Sequence, residues 1–315
     1  MAHGFRASPV SKTAFRNPCR SADPLPSQSL GNRRSGRSTR EKEAAVLPFH
    51  PCMHQQAHHR VARLHLPVAA KCNTRCGYCE REISSTATSV VAPGLSATLL
   101  SPSQALVKTR EFLGRWGKSS VVGIAGPGEP LANGETLETL TLIRREYPAI
   151  ALCVCTNGLN LPDHCGELQE LGVRNLTVTI NGFEPGVVAR IQPTVSKDGR
   201  VYLGTRAAEV LIENQKAGLQ AAVESGMVVK VNCVVVPEIN GAHVVSTAQK
   251  VSDLGAHVLN LVPLIPRGLF KNLSKPDDRY MARLRCLCSR FIPVFRHCKQ
   301  CRADAEGIPG KEGPG

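Results

Sequence analysis

The strongest constraint on the fold is an alternation of short apolar segments with longer segments of helical spacing, from about residue 64 to residue 262. The apolar segments have the length and composition of buried parallel strands. The helical segments between them are long enough for right-handed βαβ crossovers. The sequence therefore predicts an α/β fold, a partial (β/α)6 barrel of the TIM type. The predicted strands are Leu64–Ala70, Val121–Ala125, Ile150–Thr156, Leu176–Ile180, Val228–Val236 and His257–Val262, and the predicted helices are 101–116, 135–146, 163–171, 205–225 and 242–254.

Polar or Gly/Pro-rich segments follow the predicted strands. In parallel β/α barrels the functional groups gather at the carboxyl ends of the strands. Because several such segments converge on one rim, we expect the functional site there. They are Gly126–Pro130, Thr156–Gly158, Asn181, Pro237–Asn240 and Pro263–Pro266.

Three cysteines follow the first predicted strand with the spacing C-x3-C-x2-C: Cys72, Cys76 and Cys79. Three thiolates from one loop can bind three irons of a 4Fe–4S cube and leave the fourth iron open for an outside ligand. A zinc site is the alternative, but zinc usually takes four ligands from paired C-x2-C knuckles. Reduced core thiols are a second alternative. The spacing favours the cluster, and we name Cys72–Cys79 the cysteine loop.

Length and cysteine usage restrict the class of protein. The chain has 315 residues and 13 cysteines, which is enough for a large core and unlike a small disulfide-stabilised secreted domain. No apolar run approaches the roughly 20 residues needed to span a bilayer. These features predict a soluble, cytoplasmic protein that has no membrane partner.

The net charge of +14 is unevenly distributed. Residues 1–45 hold nine Lys/Arg against three Asp/Glu, are rich in Ser and Pro, and have no hydrophobic period. We predict a disordered basic tail, with a transit peptide as the alternative. A core domain is predicted over 46–307 and a disordered C-terminal tail over 308–315. Few aromatic residues and no recognisable module argue against a nucleic-acid partner.

The cysteine loop, with Tyr78 before its last cysteine, resembles that of the radical S-adenosylmethionine (SAM) superfamily. Gly126, Gly128 and Glu129 are similar to the Gly-Gly-Glu-type motif, which in that superfamily holds the amino group of SAM; an ordinary βα turn is the alternative. The resemblance implies SAM bound at the open iron and a 5′-deoxyadenosyl radical formed on reduction. Weaker candidates for polar contacts with SAM are Thr156, Asn157 and Asn232.

A longer series of segments, in order from about residue 48 to 307, resembles the NifB family of nitrogenase cofactor-assembly proteins, in a short form without the appended carrier domain. That family fuses two 4Fe–4S precursors around a carbide derived from a SAM methyl group, giving an 8Fe–9S–C precursor. The segments include His50-Pro-Cys52, Ala57-His-His59, Gly123–Gly128, Val229-Lys-Val-Asn232 and His297–Asp304.

The resemblance implies ligands for both precursors. The first would be held by Cys52, Cys153 and a histidine, for which His50 is selected while His58, His59 and His65 stay open. The second would be held by Cys298 and Cys301. Histidine suits a labile iron site because it leaves on protonation.

Position 84 is the main departure from that family. A third cysteine ligand is expected there, and this chain has Ser84, whose neutral hydroxyl is a poor iron ligand. Cys286 and Cys288 are possible replacements. We interpret Cys155, Cys165 and Cys233 as core thiols, and Cys19 as uninvolved.

Three hypotheses follow. The first is an enzyme of cofactor-precursor assembly, with iron–sulfur donors, nitrogenase-assembly acceptors and an electron donor such as ferredoxin as partners. The second is a diverged radical SAM enzyme with another substrate, which the serine at position 84 would explain. The third is a non-catalytic iron–sulfur scaffold, which the intact cysteine loop makes the least favoured.

Overall fold

A computed structural model describes residues 50–84 and 92–311. Its central sheet contains six parallel strands in sequential order, so each strand pairs with its neighbours along the chain. This order is that of a partial barrel and confirms the predicted fold class. The six strands are β1 (Arg63–His65), β2 (Val121–Ile124), β3 (Ala151–Thr156), β4 (Val173–Thr179), β5 (Val228–Val235) and β6 (Val258–Pro263).

One main helix follows each strand. The first begins as predicted, because Ser101 and Gln104 form a capping box, each side chain accepting from the other's backbone N–H. Among the described residues, no helix has the length and apolar content needed to cross a bilayer. The main helices are α1 (Pro102–Trp116), α2 (Gly134–Glu146), α3 (Leu161–Glu170), α4 (Gly204–Glu224), α5 (Val244–Asp253) and α6 (Asp278–Cys288). Shorter helices span Gln55–His58, Pro185–Ile191 and Pro237–Asn240, with 3-10 turns at Pro130–Ala132, Gly241–His243 and Gly268–Phe270.

The core lies between the sheet and the helices. Apolar side chains of adjacent strands and of the helices over them are fully buried, including Leu152, Leu176, Val231, Phe112 and Leu140. Burial of this kind contributes about 25 cal/mol per Å² of apolar surface and is the main stabilising term. The strands are therefore rigid supports for the loops at their carboxyl ends.

Two short strands flank the six. β7 (Val294–Phe295) pairs in parallel with β6 at one edge, and β8 (Glu306–Gly307) pairs antiparallel with β1 at the other. Residues 296–305 therefore run from one edge of the sheet to the other, and we name them the closing segment. His65 N–H donates to the carbonyl of Ala305, which ties this segment to β1.

The structure differs from the predicted elements at several places. β1 ends at His65, five residues before the predicted end, because the Val68 N–H turns back to the Leu66 carbonyl at 3.0 Å instead of continuing the ladder to β2. A hairpin of Thr194–Lys197 and Arg200–Leu203 was not predicted, and it pairs with Thr74–Arg75 of the cysteine loop. Ile308, the first residue of the predicted C-terminal tail, packs on the core. The tail over 1–45, with Cys19, lies outside the described residues, as do residues 46–49 and 312–315.

Candidate functional site: two adjoining cavities

A cleft of about 700 Å³ opens at the carboxyl ends of the strands, and we name it the outer cleft. All three loop cysteines line it. So do Tyr78, Gly128, Glu129, Thr156, Asn157 and Asn232, and of the predicted SAM contacts only Gly126 does not. The structure thus brings together predicted residues from four separate parts of the sequence.

The loop thiols are largely shielded from water. Burial raises the pKa of Cys76 to about 12 and that of Cys79 to about 11, and in each case neighbouring loop thiols add to the effect. The Thr74 hydroxyl lies 3.8 Å from the sulfur of Cys72 and 3.7 Å from that of Cys76. Binding of iron to these groups would release protons, because thiolate is the metal-ligating form.

The segment Gly126–Pro130, which we name the glycine turn, packs directly on the start of the cysteine loop. Gly128 N–H donates to the carbonyl of Ala69 at 2.7 Å, and Glu129 N–H donates to that of Lys71 at 2.9 Å. A Cβ at position 128 would lie 2.2 Å from the Lys71 carbonyl oxygen, so only glycine fits. The glycine at position 128 is therefore explained by a close backbone approach.

The Glu129 carboxylate is 3% exposed and accepts three hydrogen bonds. The donors are the Thr156 hydroxyl at 2.5 Å, Asn157 N–H at 2.6 Å and Leu131 N–H at 3.0 Å. Burial raises the pKa of Glu129 to about 7, while the three donors oppose that shift. A carboxylate offers about four acceptor positions, so one remains for a ligand in the outer cleft.

Two asparagine side chains connect these loops. Asn157 donates to Asn73 at 2.7 Å and to Thr74 at 3.2 Å, which joins the end of β3 to the cysteine loop. Asn133 makes hydrogen bonds with both backbone groups of Lys71. No role was predicted for Asn133, which follows the end of the glycine turn by three residues.

A second cavity, of about 190 Å³, lies deeper in the barrel, and we name it the inner cavity. It shares Cys155, Thr179 and Asn232 as wall residues with the outer cleft. All five residues selected as precursor ligands line it: His50, Cys52, Cys153, Cys298 and Cys301. The last two enter from the closing segment.

The histidines differ in their readiness to bind a metal. Nδ1 of His65 lies 3.0 Å from the Arg302 carbonyl and Nδ1 of His58 2.9 Å from that of Pro51, so both must carry a proton there and leave Nε2 with a lone pair. His50 is the opposite case, because its Nδ1 accepts from Cys52 N–H and its Nε2 therefore carries the proton. Metal-binding histidines usually donate through the second nitrogen. This geometry favours His65 or His58 over His50; His59 does not line the inner cavity.

Two buried cations, neither of which was predicted as a site residue, line the inner cavity. Lys230 is 4% exposed and donates to the Cys52 carbonyl at 3.0 Å, with its ammonium 5.8 Å from the Phe295 ring centre. Arg63 is 1% exposed and donates to the Cys301 sulfur at 3.0 Å. The sequence did offer a signal, namely a charged residue inside an apolar strand. Charged residues are rarely buried without a partner, so one at such a position indicates a binding site.

The interpretation of Cys155 as a core thiol was wrong. It is half-buried and lines both cavities, because it follows Cys153 by two residues and shares its face of β3. A hydrogen bond from Cys153 and the nearby Lys230 ammonium lower the pKa of Cys155. Cys165 and Cys233 are buried in the core as predicted.

The replacement ligands suggested for position 84 are also not supported. Cys286 and Cys288 are buried on α6 and neither lines the inner cavity. Ser84 lies beyond the short strand Glu82–Ile83, where its N–H donates to the Ser96 carbonyl at 3.0 Å. It lines neither cavity.

Comparison with known proteins agrees with the family resemblances seen in the sequence. Residues 66–251 match the family model described as the radical SAM superfamily. The chain is 40% identical over 265 residues to "FeMo cofactor biosynthesis protein NifB" of Chlorobaculum tepidum, covering 83% of this chain and 62% of that one. The protein of the same description from Methanocaldococcus infernus is 39% identical over 267 residues, covering 85% and 88%. For the relative from Klebsiella pneumoniae, 42% identical over 270 residues, the shares are 84% and 57%.

The chain thus spans about three fifths of the length of the first and last of these relatives. Solved structures agree on the fold alone. Methylornithine synthase superposes with a TM-score of 0.52 at 10% identity, covering 76% of this chain and 65% of that one. The structure described as native anSMEcpe with bound AdoMet superposes with a TM-score of 0.51 at 18% identity, covering 74% and 63%.

Proposed function

The chain belongs to the radical SAM superfamily and to its NifB family, and from this premise we propose that it joins two 4Fe–4S substrates into a carbide-containing precursor of the nitrogenase cofactor. The observation that carries the proposal is the adjacency of the two cavities. One is lined by the cysteine loop, and the other by thiols and imidazoles suited to iron–sulfur substrates. Because the two cavities share lining residues, a group that leaves SAM in the outer cleft would have a short path to a substrate in the inner cavity.

We propose that Cys72, Cys76 and Cys79 hold the resident 4Fe–4S cluster. Three thiols on one loop beside an open cleft fit a cube with one free iron. When bound, this cluster and SAM would supply a methyl group and a 5′-deoxyadenosyl radical. The protein's part is to bind, orient and exclude water.

The remaining acceptor position of Glu129 suits the amino group of SAM. Its carboxylate is fixed by the Thr156 hydroxyl and by two backbone N–H groups, so it is oriented before SAM arrives. The Arg267 guanidinium also lines the outer cleft, and its buried Nη1 has no hydrogen-bond partner among the described residues. We propose it as the donor to the SAM carboxylate, which would fix both ends of the methionine moiety.

The substrates would occupy the inner cavity. We propose Cys52 and Cys153 for the first and Cys298 and Cys301 for the second, with His65 as the imidazole ligand. Burial lowers the pKa of His65 to about 4, so its ring stays neutral as iron binding requires. Lys230 and Arg63 would compensate the negative charge of iron–sulfur clusters.

The partners proposed are an iron–sulfur donor, an acceptor in nitrogenase-cofactor assembly and a reductant of the ferredoxin type. The compartment proposed is the cytoplasm, because the ligand thiols must stay reduced.

The test is anaerobic incubation of the iron-loaded protein with SAM and a reductant, followed by transfer to a cofactor-free nitrogenase acceptor. Activation of the acceptor, together with S-adenosylhomocysteine and 5′-deoxyadenosine in the mixture, is the expected result. Release of 5′-deoxyadenosine without S-adenosylhomocysteine would instead favour a diverged radical SAM enzyme, the second function that Ser84 motivates. If the protein binds clusters but does not cleave SAM, only a scaffold role would remain.

A further inference from the structure

The inner cavity contains one thiol more than the predicted ligand set. Cys153 and Cys155 lie on the same face of β3, and both sulfurs interact electrostatically with Cys52. Cys155 also reaches the outer cleft, so it is the thiol of this group that borders the proposed SAM site. These three cysteines therefore form one cluster of donors at the junction of the two cavities.

The number of ligands that two iron–sulfur cubes require indicates a role for this extra thiol. Two cubes with three protein ligands each need six donors. Without Cys155 the inner cavity offers four thiols, because Ser84 is a serine that lines neither cavity, so two of the six donors would have to be imidazoles. With Cys155 it offers five thiols, and a single imidazole completes the set.

Two further groups indicate that the cavity is built for an anionic, metal-containing occupant. Lys230 is buried and, among the described residues, forms no ion pair with a carboxylate. A buried ammonium is costly unless an anion compensates it. Nε2 of His58, which is 2% exposed, lines the same cavity and has no hydrogen-bond partner in the described part of the chain.

We propose that Cys155 is an iron ligand, and that Cys52, Cys153 and Cys155 together hold one iron–sulfur substrate. His65 would then serve the other substrate with Cys298 and Cys301. Its Nδ1 contacts the carbonyl of Arg302, the residue after Cys301, so its ring is already fixed to the closing segment. This inference rests on the proposed function, since it takes the inner cavity to bind iron–sulfur substrates.

The first experiment compares Cys155→Ala with Cys165→Ala, which removes a buried core thiol remote from both cavities. After anaerobic reconstitution, Cys155→Ala should lose about four of about twelve irons per chain, while the change that SAM causes in the electron paramagnetic resonance spectrum persists. Cys165→Ala should retain the full iron content. Circular dichroism of the iron-free variants checks that both fold.

The second experiment needs no variant. Iodoacetamide followed by peptide mass spectrometry should label Cys155 in the iron-free protein at least tenfold faster than in the loaded protein. Equal labelling in the two states, or full iron in Cys155→Ala, would overturn the assignment. A wild-type protein that binds only about four irons and still responds to SAM would refute the assembly function itself, and the assignment of Cys155 with it.

Discussion

The side chain of Asn133 binds both backbone groups of Lys71, accepting from its N–H at 2.9 Å and donating to its carbonyl at 2.9 Å. The same amide nitrogen donates to the Glu129 carbonyl at 2.7 Å. One residue therefore holds the residue that precedes the first loop cysteine against the glycine turn. The cysteine loop is positioned by the second βα unit as well as by its own strand.

Asn133→Ala should loosen this junction. Loss of three largely buried hydrogen bonds predicts a decrease of about 2–3 kcal/mol in the free energy of unfolding and weaker SAM binding. The matched control is Asn160→Ala, which removes a single bond to the Leu131 carbonyl. Chemical denaturation of the iron-free proteins checks the first effect and titration of the loaded proteins with SAM the second. Equal losses in the two variants would contradict the role given to Asn133.

Glu129 predicts a pH dependence for SAM binding. Its pKa of about 7 means that the carboxyl is mostly protonated at pH 6 and ionised at pH 8, and the ionised form is the better acceptor for the SAM amino group. Affinity should therefore rise about tenfold between those values, following the ionised fraction. In Glu129→Gln the part of the pH dependence of SAM affinity that comes from this carboxyl should be absent. Because SAM itself titrates identically with both proteins, the difference between the two pH profiles isolates Glu129.

Gly128→Ala should prevent formation of the SAM site. The new Cβ would lie 2.2 Å from the Lys71 carbonyl oxygen, which is backbone and cannot move aside cheaply. Gly166→Ala is the control, since that glycine lies on α3 with nothing within 4 Å of an added Cβ. There the change should raise stability by about 0.5–1 kcal/mol, as expected for Gly to Ala in a helix. Iron content and SAM titration check both variants, and SAM binding by Gly128→Ala at wild-type affinity would contradict the prediction.

Lys230→Met should weaken retention of iron–sulfur substrates in the inner cavity. The neutral side chain keeps most of the packing but removes the cation that faces the cavity thiols. Lys250→Met is a matched control, because the Lys250 ammonium also lies over a phenylalanine, at 5.6 Å from the Phe183 ring centre, but is exposed. The rate of iron loss to a chelator should increase several-fold only in Lys230→Met. Identical rates of iron loss in both variants would contradict the electrostatic role given to Lys230.

The choice of histidine can be tested by spectroscopy. The coupling of a histidine nitrogen to the cluster spin in the reduced, loaded protein should be lost in His65→Gln and retained in His50→Gln. The reason is that His65 presents an unprotonated Nε2, whereas the Nε2 of His50 carries the proton. Electron spin echo measurements report such couplings. The reverse pattern would restore His50 as the ligand.

Much of the fold was predictable, because strands such as Val228–Val235 are nearly continuous apolar runs and helices such as α4 have clear helical periodicity. The hairpin around Asp198-Gly199 was missed although this dipeptide is a common turn signal. Strands of two residues, such as Glu306–Gly307, have no period and exist only through pairing with β1.

The candidate site, like the fold, was predictable only in part. The cysteine loop was predictable because its chemistry lies within eight consecutive residues. Lys230 and Cys155 were not recognised, because both faces of their strands are covered and sequence alternation does not say which face meets a cavity. Only the barrel's curvature decides that, and it depends on the whole sheet.

The closing segment makes the inner cavity depend on contacts between distant parts of the chain. Cys52 lies near the beginning of the described chain, whereas Cys298 and Cys301 lie near its end, and they meet only when β8 has joined β1. Separation of β8 from β1 would therefore open the inner cavity, while the contacts of the cysteine loop with the glycine turn would remain.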